Sequence, residues 1–166
     1  GKYSVDTPQG AYTRASILRR VMAAVNNHRP VIITTLIDFN AVAPDSENAM
    51  FSADRVLAQG PGFQAGHLMV LEDYAVTNVP GIGALGEGEM TDAAKEAALR
   101  GRLSYIVTKN SWGKDRPDRP WLKDGYTRFD RGYIDRPLPF HSNDTDMNSP
   151  ILWRSAVSGF VLPPGY

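Results

Sequence analysis

The sequence predicts an α+β fold: a mainly antiparallel, partly closed, barrel-like sheet carrying two or three short helices. Three observations lead there. Several short stretches are rich in β-branched and aromatic residues and are separated by glycine, proline and asparagine. Helical spacing is confined to short segments. The connections are long and irregular, unlike repeated strand–helix–strand units. A chain of 166 residues is expected to bury one core of its own. Residues 1–12 read as an N-terminal arm and 13–166 as a single domain, with a surface insertion at about 76–101.

Taken in order, Gly1–Tyr12 is polar and broken by Pro8 and Gly10. Thr13 fits an N-cap, and Ile17, Leu18, Val21, Ala24 and Val25 follow at helical spacing. Pro30 restricts Arg29 and should stop that helix near His28, which would sit in its last turn beside the negative end of the dipole. Pro30–Phe39 (PVIITTLIDF) reads as a buried strand. Ser52–Ala58 fits a short helix with Asp54 in its first turn, and Gln59–Gly62 is a turn signal. His67–Tyr74 (HLMVLEDY) is apolar on both faces and is expected to be an interior strand. Val79–Gly88 is glycine-rich, lacks a phosphate-loop lysine and reads as a flexible loop. Thr91–Arg100 is a surface helix capped by Thr91 and stopped by Gly101.

Leu103–Lys109 alternates as a strand and runs into an NSWG turn. Lys114–Gly125 is a charged, proline-broken excursion pinned by Trp121. Tyr126–Phe129 alternates again and is expected to continue toward Arg131–Ile134. Ile151–Leu162 reads as a final strand, interrupted at Ser158–Gly159. Asn143–Thr145 fits the glycosylation acceptor pattern.

Composition removes several function classes. The 18 basic and 18 acidic side chains cancel, so there is no electrostatic case for nucleic acid or an acidic membrane. No apolar run is long enough to span a bilayer. Without cysteine, these residues form no disulfide, thiolate metal site or cysteine nucleophile. His28, His67 and His141 have no ligand-like spacing, so neither metal nor cofactor is expected.

A histidine opening one strand and an asparagine closing another can meet at one rim of a sheet, as a base and its orienting amide. The pair here is His67 and Asn110. The block Lys109–Gly113 (KNSWG), followed by Gly125, Tyr126 and Arg128, resembles the end of the papain-like cysteine peptidases. GHLMVLEDY resembles the strand opened by that family's catalytic histidine, and the helix leading into RPVIITTLID resembles the elements before it. The agreement covers roughly residues 13–134. Departures are Gly66 where the family often has Asn or Asp, Glu72-Asp73 in place of Val-Gly, and Trp121 followed by Leu122.

The resemblance implies His67 as general base and Asn110 as its orienting partner. It implies supporting roles for Trp112, covering their hydrogen bond, and for Ser111 and Gly113. It places the nucleophilic cysteine and an oxyanion-hole glutamine on an N-terminal half whose CGSCW-like block has no counterpart here. The expected partners are therefore that cysteine-bearing half, in the same precursor or as a second chain, and a polypeptide substrate. Alone, this chain would be inert. The alternative is a non-catalytic binding or scaffold module that retains the fold. An apolar patch beside His67 and Asn110 is expected if another domain packs there.

Overall fold

The structure, a computed structural model, describes residues 2–3, 14–113, 120–141, 151–154 and 157–166. The elements begin with β1 (Lys2–Tyr3), α1 (Arg14–Asn26), β2 (Val31–Asp38), a 3-10 turn (Phe39–Ala41), β3 (Met50–Phe51), α2 (Ala53–Gln59) and β4 (Gln64–Val79). They continue with β5 (Gly83–Leu85), α3 (Asp92–Ala98), β6 (Arg102–Lys109), β7 (Tyr126–Asp130), α4 (Arg131–Asp135), β8 (Leu138–His141), β9 (Ile151–Arg154) and β10 (Val157–Val161). The class is α+β. An eight-stranded sheet runs β1-β10-β2-β4-β6-β7-β3 with β5 on β4, and β8 and β9 form a separate pair.

The expected mainly antiparallel, partly closed sheet is corrected to a mixed and open one. β3 lies parallel to β7, and the path ends at β1 and β3 without closing. β3 reaches β7 through a loop rather than a hairpin, and Arg128 N–H bonds Ala49 O at 3.0 Å. Among the described residues four α-helices form instead of two or three. The additional one is α4, where a continued strand was expected over Arg131–Ile134. Asp130 caps it, accepting Tyr133 N–H at 2.8 Å. Tyr133 is then buried in the core, donating to Leu36 O at 2.7 Å and accepting Asp38 N–H at 2.9 Å.

Helix α1 lays Ile17, Leu18, Val21, Ala24 and Val25 against Val31, Ile33, Met69 and Leu71, the centre of the core. Fully burying each of the larger aliphatic side chains among these contributes about 1.5–3 kcal/mol, and the methyl of Ala24 less. The Thr13 cap lies outside the described residues. His28 is not in the last helical turn but just beyond it, at φ 54. Its N–H bonds Val25 O at 2.9 Å and the Arg29 N–H bonds Ala24 O at 2.9 Å, a Schellman ending.

Helices α2 and α3 form close to their expected positions. Thr91 Oγ1 accepts Ala94 N–H at 3.3 Å, and Ala94 and Ala98 are buried, so α3 is docked more firmly than a surface insertion. Gly101 is required where α3 turns into β6, because a Cβ there would lie 2.9 Å from Thr77 O. The final strand is split in two. β9 pairs with β8 and β10 with β2, and the expected interruption at Ser158–Gly159 is a register shift between Val157 and Gly159. The Asn143–Thr145 site lies outside the described residues.

Two further expectations change. β4 is not interior on both faces. Leu68 and Val70 are exposed, and with Ile32 and Val161 they form a cross-strand apolar stripe opposite the α1 side. Nor is Val79–Gly88 a loose loop. β5 folds back onto β4, and Glu87 clamps Arg128 through two hydrogen bonds of 2.7 and 2.6 Å. Gly88 N–H donates to Asp73 Oδ2 at 2.7 Å.

That clamp carries a pH signature. The hydrogen bonds from Arg128 hold the Glu87 carboxyl below the usual range, so its stabilisation is present above the unfolded pKa and lost as pH falls through the lowered one. Burial pushes Asp73 the other way. Its ionised form is disfavoured, and acidification through its raised pKa gains stability. Glu87→Gln should therefore cost about 1–2 kcal/mol at neutral pH, discounted for the partial exposure of Glu87. The cost should shrink toward about pH 3, below the ordinary glutamate value. Urea unfolding at both pH values checks this, and a pH-independent cost would remove the ionic clamp from the account.

Candidate active site

Strands β2, β4, β6 and β7 are neighbours in the sheet, and their register sets the site. His67 lies opposite Thr35 on β2. Val70 lies opposite Lys109, the last residue of β6, so Asn110 emerges from β6 beside His67. The Asn110 N–H bonds Gly125 O at 3.0 Å, tying the NSWG turn to the one entering β7. Gly113 has φ 85, a left-handed conformation that suits glycine in this turn.

His67 Nε2 and Asn110 Oδ1 are 2.9 Å apart. Trp112 stacks on the His67 ring, with centroids 4.8 Å apart and planes at 20°. Asn110 is buried, so this bond is shielded and its electrostatics strengthened. Ser111 contributes its backbone N–H to Asn110 Oδ1 at 2.8 Å, while its side chain is exposed. The five singled-out residues, His67, Asn110, Ser111, Trp112 and Gly113, thus lie in one place. Nδ1 is the ring nitrogen not engaged by Asn110. Beside the ring is an open depression lined by Thr34, Thr35, Gly66, His67 and Leu68. Leu68, the next residue of β4, is 63% exposed.

Four supporting residues escaped the sequence reading. Phe39 stacks on Trp112 at 6.0 Å, meets Trp121 edge-on at 5.2 Å and contacts Phe63 at 5.8 Å. Asp38 frames this aromatic run. Fully buried, it accepts Asn40 N–H at 2.9 Å, Gly62 N–H at 3.0 Å and Gln64 Nε2 at 2.9 Å. The fourth is Thr127, whose hydroxyl accepts Asn110 Nδ2 at 3.0 Å. The available signals were a lone acid closing a β-branched run and a polar residue central to YTRF.

Among the described residues no group of three or more His, Asp or Glu is placed to hold a metal ion. What the arrangement offers chemically is an imidazole of fixed orientation beside an open depression, with one nitrogen held and the other available for proton transfer. No family model, curated protein or solved structure matches the chain.

Proposed function

We propose that this chain supplies the general base and its orienting asparagine to a papain-like cysteine peptidase, and that a separate cysteine-bearing half supplies the nucleophile. The observation carrying this reading is the 2.9 Å contact between His67 Nε2 and Asn110 Oδ1 beneath Trp112, at a KNSWG turn. The assignment rests on that motif and geometry rather than on barrel closure. In the completed site His67 pairs with the cysteine as imidazolium and thiolate. The thiolate attacks the peptide carbonyl, and His67 passes its proton to the leaving amine. Asn110 holds the imidazole in line, and a glutamine of the other half would donate to the oxyanion. Exposed Leu68 beside His67 supports a second polypeptide surface closing the cleft.

Intact mass of the native material, first under non-denaturing and then under denaturing conditions, tests this. A companion polypeptide, or a longer parent chain, bearing a cysteine trapped by an iodoacetamide-type probe is the expected result. The second reading, a non-catalytic binding module, is favoured by the lack of any cysteine in these 166 residues. A lone 18.2 kDa species with no longer parent transcript would select it.

A further inference from the structure

We propose that the buried hydroxyl of Thr127 sets the polarity of the Asn110 amide and, through it, which ring nitrogen of His67 carries the proton. The hydrogen-bond relay begins at Trp121. Its carbonyl oxygen can only accept, so the single hydroxyl proton of Thr127 is directed to it, at 2.8 Å. Thr127 Oγ1 is then an acceptor toward Asn110, 3.0 Å away, and the amide group facing it must be the Nδ2 donor. The amide oxygen is turned the other way. There it accepts the Ser111 N–H at 2.8 Å and meets His67 Nε2 at 2.9 Å. An oxygen needs a donor opposite it, so Nε2 holds the hydrogen. In the neutral ring Nδ1 keeps its lone pair.

Thr127 is 0% exposed and Asn110 8%, so water does not readily replace a missing partner in this relay. The residue itself is fixed from behind, because Thr108 Oγ1 donates to Thr127 O at 2.8 Å. Thr127 is a positioning residue. It acts on His67 only through Asn110. As a statement about catalysis this rests on the peptidase reading above; as a statement about the proton it stands on the hydrogen bonds alone.

The test is ¹⁵N NMR of the histidine rings in the full chain, read at a pH where the imidazoles are neutral. In the unaltered protein His67 should show a protonated Nε2 and an unprotonated Nδ1. Thr127→Val keeps the shape and removes the hydroxyl, and should lower that tautomer ratio by about tenfold, the worth of one net buried hydrogen bond. Thr127→Ser should restore it, which a purely packing role would not predict. A folded Thr127→Val protein with an unchanged ratio would overturn the proposal. So would an Nδ1-protonated His67 in the unaltered chain, a measurement that needs no variant to fold. No thiol partner enters the experiment, so the peptidase reading can fail while the lock stands, and the reverse.

Discussion

In the proposed assembly with a cysteine-bearing half, His67→Ala is expected to lower kcat/KM for a peptide amide by roughly 10³–10⁴-fold. The loss should fall on kcat with KM little changed, because proton transfer to the leaving amine is made only in the transition state. Asn110→Ala should lose less, roughly 10–100-fold, since the ring remains but is no longer held at Nε2. The contact between them is 2.9 Å, and Trp112 stacks on the histidine. Steady-state kinetics on the purified assembly decides the matter. Activity of His67→Ala within tenfold of the unaltered protein would remove His67 from the chemistry.

The second large effect is on stability. Asp38→Ala should destabilise the chain by about 3–5 kcal/mol, a large fraction of the total for a domain this size. The carboxylate is 0% exposed and collects N–H donors from Asn40, Gly62 and Gln64. Removing it strands these donors in a region that water does not reach. Asp38→Asn should cost less, because the amide oxygen still accepts, although its NH₂ faces donors. The Phe63–Phe39–Trp112 run should loosen with the frame, visible as reduced near-ultraviolet circular dichroism. Urea unfolding supplies the main number, and a loss under about 1 kcal/mol would show that the site relaxes or hydrates without difficulty.

Where local chemistry dominates, the sequence was legible. β2 and β6 announce themselves through β-branched and aromatic residues, and Thr91 followed by alanines gives α3 with its cap. The pairing of His67 with Asn110 was visible through the strand ends and the KNSWG block. The misses have physical causes. β3 is two residues long, too short to display a period, and its parallel pairing is a tertiary outcome. In Arg131–Asp135 alternation suggests a strand, but Asp130 caps a helix and Tyr133 finds buried partners on β2. The glycines of Val79–Gly88 suggested mobility, whereas Glu87 and Gly88 are anchored by residues distant in sequence. Thr127 shows in the sequence only as a polar residue central to YTRF, because its role arises from what Asn110 and Trp121 bring to it.

The site draws on three strands that leave the ribosome one after another. His67 is made first, on β4. Asn110 follows β6, and Thr127 arrives only with β7. The 60 residues from His67 to Thr127 take about 3–12 s to synthesise at typical elongation rates. For the first part of that interval the imidazole exists without its amide, and for the rest without the hydroxyl that orients the amide. Assembly of the base is thus scheduled by translation: a nascent or prematurely terminated chain ending before β7 would display the histidine yet lack the framework that directs its proton.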